Sequence, residues 1–336
     1  MADLEQFRAE TRSWLEANCP PEMRKPAEDE KDVYWGGRNA TFKNEAQKAW
    51  FEACRDKGYT VPAWPKEYGG AGLGLTEAAL VMQTVTRSGA GYSGASAIHL
   101  NIFGPKPLEK FGTPEQKAEW LPLTRSGQAI SAFALTEPQS GSDVANSTMT
   151  ATRDGDSYVL NGEKTWISNG GIADVYTLFA RTGEAPGARG LSAFILPAGL
   201  PGFEVVERLE TIAPHPLATL RFTDCRLPAS AMLGEPGQGF KIAMSVLDVF
   251  RASVAAAALG FARRALDETL DRAGSRELFG APLFDLQMVQ GHIADMALDV
   301  DASALLRPQR AQLRLDDDGP ARVVEGRARR RRRALL

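Results

Sequence analysis

Apolar residues in the first part of the chain recur at the spacing of helices. One helical face near the N-terminus is defined by Leu4, Phe7, Thr11, Trp14 and Leu15. Glycine and proline punctuate the residues that follow, most clearly over 61–74. We therefore predict an N-terminal helical domain over residues 1–128.

A helix start can be recognised at residues 113–116 within this domain. Thr113 can cap the helix, Pro114 suits its first turn, and Gln116 follows the cap at the spacing of a capping box. The sequence therefore predicts a helix that begins directly after Thr113.

From about residue 129 the helical spacing gives way to short alternating stretches. Residues 147–168 alternate around two dipeptides typical of tight turns, Asp154-Gly155 and Asn161-Gly162. Short strands separated in this way indicate a compact β domain. We place it at residues 129–235.

The helical pattern returns beyond Gly237. A long run without proline, rich in Ala, Leu and Arg, predicts one helix, and a second is expected from Asp285 to about Leu306. These helices form a predicted C-terminal domain over residues 236–306. Helices, a β module and further helices in this order predict an α+β fold and not a doubly wound sheet.

Composition and charge favour a cytoplasmic protein without a nucleic-acid or membrane partner. The three cysteines are widely spaced, as in reducing compartments, and the start lacks the order of a signal peptide. The longest apolar run, 254–262, is too short to cross a bilayer. Residues 307–336 hold ten arginines against four acidic residues, so the rest of the chain is more acidic than the net charge of −3 indicates.

The sequence gives little support for a dinucleotide-binding loop or for a metal site. Residues 89–94, GAGYSG, match the dinucleotide pattern GxGxxG, but the stretch before them reads as a helix, whereas that motif needs a strand. The histidines, His99, His215 and His292, are not paired at metal-ligand spacing, so we expect no metal site.

Two polar stretches of the β domain are the strongest candidates for a binding site. Residues 134–143 read ALTEPQSGSD and residues 162–171 read GEKTWISNGG. Either stretch alone is most simply a strand end with a polar turn. Together they offer a tryptophan face and several hydroxyls, which suit a flat heteroaromatic ligand.

The stretches FALTEPQSGSD, LNGEKTWISNGG and FGTPEQKAEWLP resemble signature sequences of the acyl-CoA dehydrogenase flavoenzymes. The resemblance implies an N-terminal helical domain, a middle β domain and a C-terminal helical bundle. It also implies FAD as the cofactor, which accepts hydrogen from the α and β carbons of an acyl-CoA to give the 2-enoyl-CoA. The electrons would pass to an electron-transfer flavoprotein.

The resemblance also assigns roles to single residues. The residues expected at the flavin are Phe133, Leu135, Thr136, Gly141, Ser142, Trp166 and Ser168. Ser142, Asp248 and Arg251 are expected to contact CoA, although Asp248 and Arg251 alone would read as a surface ion pair. Arg276, Phe279 and Gln287 are expected to reach the FAD of a neighbouring subunit, which implies a homo-oligomer, a dimer or a tetramer.

The chain departs from the family pattern in two places. Some members carry the catalytic Glu directly before the equivalent of Arg251, where this chain has Phe250. The commoner position for that Glu lies beyond the matched region, so no catalytic residue is assigned and the bundle is predicted to be incomplete. The segment 307–336 loses the helical spacing, and we interpret it as an aberrant, disordered tail from a truncated or frameshifted reading frame. On this hypothesis the chain binds FAD poorly and turns over acyl-CoA negligibly.

Two alternatives stay open because a fold does not determine its chemistry. The chain could be a flavin-dependent monooxygenase or oxidase, or a non-catalytic relative that binds acyl-CoA. The sequence predicts neither the acyl chain length nor the role of residues 24–42.

Overall fold

The computed structural model describes residues 2–25, 27–88, 104–212 and 215–315, with side chains described up to residue 305. The chain divides into two compact units, Met1–Arg264 and Ala265–Leu336. The motif GAGYSG and His99 lie outside the described residues.

Five α-helices lie in the described ranges 2–88 and 104–128, the N-terminal part of the first unit. They are α1 (Ala2–Asn18), α2 (Glu45–Asp56), α3 (Leu75–Arg87), α4 (Pro105–Phe111) and α5 (Pro114–Arg125). Of the predicted face of α1, Thr11 and Leu15 are buried. Leu15 packs in one cluster with Trp50 of α2 and Val81 of α3, so the apolar faces of these helices cover one another.

Helix α5 begins as its sequence predicts and is also tied to the β domain. Thr113 accepts a hydrogen bond from the Gln116 backbone N–H at 3.2 Å, and the Gln116 side chain accepts one from the Thr113 N–H at 3.0 Å. The Gln116 amide nitrogen also donates to the carbonyls of Ser230 and Met232, at 2.9 and 3.0 Å. One side chain therefore completes the cap and fastens the helix to distant residues.

Eight strands form a mixed sheet. They are β1 (Ser131–Ala134), β2 (Thr150–Asp154), β3 (Ser157–Ser168), β4 (Val175–Arg181), β5 (Leu191–Pro197), β6 (Phe203–Leu209), β7 (Leu217–Pro228) and β8 (Met232–Leu233). Their order is β6-β7-β3-β2-β4-β5-β8, and β1 pairs in parallel with β4. The two long strands β3 and β7 run antiparallel.

One of the two predicted turns is wrong. Asp154-Gly155 joins β2 to β3, as expected, but Asn161-Gly162 lies within β3. There the pairing with β7 shifts register, and Asn161 exchanges hydrogen bonds with Asp224. Gly162 has φ +142°, and a Cβ there would lie 2.8 Å from Met149. A β-bulge therefore uses the glycine, and the strand continues through it.

Both faces of the sheet are covered. Tyr176 and Leu178 of β4 pack in one cluster with Val33 and Trp35, whereas Phe179 packs in another with Trp120 of α5. The segment 24–42, whose role the sequence leaves open, therefore closes one face of the sheet. The N-terminal helices close the other.

The C-terminal helices are α6 (Gly239–Ser275) and α7 (Gln287–Leu315), and a short hairpin of β9 (Glu277–Leu278) and β10 (Ala281–Pro282) lies between them in sequence. α7 begins two residues after the predicted start at Asp285. It also continues beyond Leu306 and ends at Leu315. The predicted loss of helix is therefore wrong for residues 307–315. The rest of the predicted tail lies outside the described residues.

Helix α6 is longer and more apolar than the run 254–262 alone indicates. Within the described part of the chain it has the length and composition needed to cross a membrane, and 33% of its most apolar stretch is buried. Core helices of soluble proteins meet the same criteria, so α6 is weak evidence for a membrane span.

We expect Gln116→Ala to destabilise the first unit. The variant loses half of the capping box and leaves two carbonyls without their donor, so the free energy of unfolding should fall by about 1–3 kcal/mol. Urea denaturation followed by circular dichroism measures it. Gln128→Ala, at an exposed site just after the same helix, is the control and should change stability by less than about 0.5 kcal/mol. Equal stability of both variants would contradict the anchoring role of Gln116.

Candidate functional site

The two polar stretches singled out in the sequence meet at one cavity. Its volume is about 260 Å³. Six of the predicted ligand-facing residues line it, namely Phe133, Leu135, Thr136, Gly141, Trp166 and Ser168. The other described lining residues are Ser131, Ala132, Val144, Ile167, Asn169 and Leu247. The first stretch follows β1 and the second occupies the end of β3, so the sheet brings them together.

A buried ion pair joins the two stretches behind the cavity. Lys164 of β3 donates to the Glu137 carboxylate at 2.8 Å and to the Leu135 carbonyl at 2.9 Å. Both charged side chains are almost completely inaccessible to solvent. The Thr165 backbone N–H also donates to the Thr136 carbonyl, at 3.0 Å. The wall that carries Leu135 and Thr136 is therefore fixed to β3 at three points.

The Glu137 carboxylate is surrounded by donors. Besides Lys164, it accepts hydrogen bonds from the backbone N–H groups of Thr148 and Met149, at 2.6 and 3.1 Å. Burial alone would raise the pKa of Glu137, but Lys164 and these N–H groups hold it below its usual value. Burial lowers the pKa of Lys164 to about 8, against the opposing effect of Glu137. Both groups are therefore charged at neutral pH.

Trp166 is displayed by a distortion of β3. The pairing of β3 with β7 shifts register between Lys164 and Ile167, and Trp166 has the left-handed φ of +56°. Its side chain is 58% exposed, although its neighbour Ile167 is buried in the core. A tryptophan in this backbone conformation is strained. The bulge therefore turns a large aromatic face toward the cavity instead of the core.

The polar groups of the cavity are hydroxyls and an amide. The Ser168 hydroxyl lies 3.0 Å from Nε2 of His215. Burial lowers the pKa of His215, while nearby Glu30 opposes that shift. Asn169 donates from its amide nitrogen to the Ser131 carbonyl, but its buried Oδ1 has no hydrogen-bond partner among the described residues. None of the described lining residues is an acid or a histidine.

This donor set fits a flat ring system. Apolar side chains form the walls, one exposed indole offers a stacking face, and the hydroxyls of Thr136 and Ser168 can reach ring heteroatoms. The volume falls below the roughly 300–1,000 Å³ of typical ligand pockets. The cavity can therefore hold a ring system but not a complete dinucleotide.

The predicted substrate-contacting residues lie outside this cavity. Ser142 is exposed on the loop that follows Gly141. Asp248 and Arg251 form an exposed ion pair at 3.3 Å on α6, the helix that contributes Leu247 to the cavity. Phe250 packs in a small cluster with Met82 and Ala257.

Arg276, Phe279 and Gln287 belong to the second unit. Phe279 stands at the tip of the β9–β10 hairpin, with φ +56° and its side chain 98% exposed. Gly280 beside it also has a positive φ, of +79°, as a tight two-residue turn requires. The hairpin therefore holds an aromatic ring fully in solvent.

Several site residues were missed in the sequence. Leu247 and Asn169 line the cavity, and His215 contacts Ser168. The ion pair of Glu137 and Lys164 could have been predicted from the sequence, because each residue lies in one of the two stretches. A Lys flanked by apolar positions of a predicted strand signals a buried charge that needs a partner.

We expect Lys164→Met to destabilise the chain strongly. The Glu137 carboxylate would remain buried without its counter-ion, so the free energy of unfolding should fall by about 3–5 kcal/mol. Urea denaturation measures the change. Lys241→Met, at an exposed position of α6, is the matched control and should stay within about 0.5 kcal/mol of the unsubstituted chain. A loss of less than about 1 kcal/mol for Lys164→Met would show that the pair does not hold the wall.

Comparison with known protein families covers most of the chain. Family models described as the N-terminal, middle and C-terminal domains of acyl-CoA dehydrogenase match residues 1–128, 132–225 and 237–328. The last match continues beyond Leu306, so the predicted end of the family resemblance at that residue is wrong.

Two curated relatives illustrate the similarity. Human short-chain specific acyl-CoA dehydrogenase, mitochondrial, is 41% identical over 252 residues, which are 74% of this chain and 61% of that protein. Acryloyl-CoA reductase (NADH) of Anaerotignum propionicum is 40% identical over 260 residues, 76% of this chain and 66% of that protein. The chain thus spans about three fifths of the first of these relatives.

Solved structures share the fold. Butyryl-CoA dehydrogenase from Megasphaera elsdenii has a TM-score of 0.75 at 31% identity, over 91% of this chain and 78% of that one. A chain in a structure of the electron transferring flavoprotein of Acidaminococcus fermentans has a TM-score of 0.78 at 32% identity, over 94% and 79%. The prolyl acyl carrier protein oxidase AnaB has a TM-score of 0.79 at 28% identity, over 94% and 80%. The chain therefore belongs to the acyl-CoA dehydrogenase family, whose cofactor is FAD.

Proposed function

We propose that the chain binds FAD and acts as an oxidoreductase on an acyl-CoA thioester, converting it to the 2-enoyl-CoA. The observation that carries the proposal is the cavity where Thr136, Trp166 and Ser168 converge from two separate stretches. Family membership supports the same reading. FAD supplies the capacity to accept a hydride when it is bound.

The residues of the cavity suit the ring of this cofactor. Phe133 and Leu135 provide apolar contacts, Trp166 provides a face for stacking, and the hydroxyls of Thr136 and Ser168 are placed to bond ring heteroatoms. The Oδ1 of Asn169, which has no partner in the ranges that the structure describes, adds an acceptor at the same wall. The remainder of the dinucleotide would lie outside the cavity. Arg276, Phe279 and Gln287 of a second copy are our candidates to hold it.

A short-chain acyl-CoA is the substrate to test first. The names of the human relative and of the Megasphaera elsdenii structure specify short-chain and butyryl thioesters. Asp248 and Arg251 stand exposed on α6; Asp248 directly follows Leu247 of the cavity, and Arg251 lies about one turn further along the helix. We propose that this pair and Ser142 contact the CoA part.

Removal of the α proton needs a base that position 250 does not supply. Phe250 has no group that accepts a proton, and no carboxylate is among the described residues that line the cavity. The described residues can therefore bind and orient the reactants without completing the proton transfer. We accordingly expect low turnover.

We propose three further properties of the functional protein. Its electrons pass to an electron-transfer flavoprotein, in keeping with the structural similarity to a chain in a structure of the electron transferring flavoprotein of Acidaminococcus fermentans. It forms a homo-oligomer in which the exposed Phe279 is covered by a second copy, because solvent is an unfavourable environment for such a ring. The cytoplasmic location stays a prediction.

An oxidase activity is the second candidate. AnaB, an oxidase with a carrier-protein substrate according to its name, shares the fold at a TM-score of 0.79. Oxygen consumption by the reduced, FAD-loaded chain would favour this reading. Reoxidation that requires an electron-transfer flavoprotein would favour the dehydrogenase.

We expect Trp166→Gly to separate cofactor binding from stability. Glycine tolerates the left-handed backbone, so the free energy of unfolding should stay the same or rise by up to about 1 kcal/mol. Loss of the stacking face should raise the dissociation constant for FAD by about tenfold. Titration monitored by flavin fluorescence measures this constant, and Trp166→Phe should retain most of the affinity. FAD binding by Trp166→Gly as tight as that of the unsubstituted chain would exclude Trp166 from the flavin site.

We expect Phe250→Glu to raise the rate of acyl-CoA oxidation. A positioned carboxylate base typically accelerates proton transfer by about 10²–10⁴-fold. The apolar contacts of this position should raise the pKa of the new carboxyl, and the rate should therefore rise as pH increases through that pKa. Stopped-flow reduction of the FAD-loaded chain by butyryl-CoA measures the rate. Phe250→Gln is the control without a base, and equal rates for the Glu and Gln variants would contradict this placement of the base.

A further inference from the structure

His215 stands directly behind one of the hydroxyls of the cavity. Its Nε2 lies 3.0 Å from the Ser168 hydroxyl oxygen, and Ser168 lines the cavity. The backbone fixes this contact, because Ser168 pairs with Leu217 and the Asn169 N–H donates to the Pro216 carbonyl at 2.8 Å. Ser168 ends β3 and His215 lies two residues before β7, so the pairing of these strands brings the hydroxyl and the imidazole together.

The other side of the imidazole is held by the segment that closes the sheet. The buried Trp35 ring meets the His215 ring edge-on at 5.4 Å, and its indole N–H donates to the Glu30 carbonyl at 3.0 Å. Glu30 is the charged group that acts on His215, and it is itself paired with Arg208 at 3.0 Å. His215 therefore has little freedom to turn away from Ser168.

A neutral imidazole can form a hydrogen bond with the Ser168 hydroxyl in either of two directions. If Nε2 carries no proton, the hydroxyl donates to it and presents only an acceptor to the cavity. If Nε2 is protonated, it donates to the hydroxyl oxygen, and the hydroxyl proton is free to point into the cavity. The tautomer of His215 thus decides whether the cavity offers a donor or an acceptor at this point.

We propose that His215 is a positioning residue, which orients the Ser168 hydroxyl as a donor toward an acceptor atom of the bound flavin ring. The inference rests on the proposed function, because it requires FAD in the cavity. His215 is not among the described residues that line the cavity, so the proposed role is exerted through Ser168. Burial lowers the pKa of His215, which is consistent with a neutral ring that chooses between tautomers.

The tautomer can be observed directly in the full-length, FAD-loaded chain. In ¹⁵N NMR spectra of histidine-labelled protein, His215→Gln identifies the His215 signals by their loss. We expect Nε2 to be protonated and Nδ1 to be bare when FAD is bound. An Nε2 without a proton in the loaded protein would overturn the proposal, because Ser168 would then donate to His215.

Affinity for FAD provides a second, independent test. His215→Leu and Ser168→Ala should each weaken FAD binding by about fivefold to tenfold, the effect of one net hydrogen bond. His215→Gln can still donate to Ser168 and should bind nearly as tightly as the unsubstituted chain. In the Ser168→Ala background, His215→Leu should have no further effect. If His215 were only structural, His215→Leu would lower the urea midpoint, and the FAD affinities of the variants would not follow the order given above.

FAD binding distinguishes failure of the proposed function from failure of the proposed role of His215. If the unsubstituted chain binds no FAD, the proposed function fails and the role of His215 fails with it. If the chain binds FAD and His215→Leu binds it equally tightly, only the role of His215 is overturned.

Discussion

The buried ion pair of Lys164 and Glu137 is the constraint on which the site depends. Removing two charges from water is costly, and the cost is offset here by short contacts and by the backbone donors of Thr148 and Met149. The ion pair fixes the position of residues 134–143 relative to β3. Thr136 and Ser168 can therefore face one ligand although strand β2 and most of β3 separate them in sequence.

Two residues near this ion pair, Trp166 and Asn169, depart from the usual preferences of their backbone or side chain. Trp166 adopts an unfavourable backbone conformation, and within the described part of the chain Asn169 keeps a buried oxygen without a hydrogen-bond partner, while the neighbouring sheet residues pack in the core. Such departures from ordinary local preferences are expected where a protein prepares a site for a ligand. A ring that stacks on Trp166 and meets these polar atoms would recover part of the cost. This is the physical reason to interpret the cavity as a cofactor site.

Local signals were predictable from the sequence, and distant contacts were not. The capping box at Thr113 and Gln116 needs only neighbouring residues, so it forms as predicted. Asn161-Gly162 has the local signal of a turn, but its pairing with β7 and the contact with Asp224 keep the strand intact. Residues 24–42 have no local pattern that reveals their role, because Val33 and Trp35 find their partners in the sheet. The contact of His215 with Ser168 depends in the same way on strand pairing.

We propose that the two polar stretches form one wall for the ring of FAD. A crystal structure of the chain of residues 1–336 grown with FAD provides the decisive test. We expect the flavin ring in the cavity, with Trp166 against it and the hydroxyls of Thr136 and Ser168 within hydrogen-bond distance of its heteroatoms. FAD bound elsewhere, with this cavity filled by side chains or water, would contradict it.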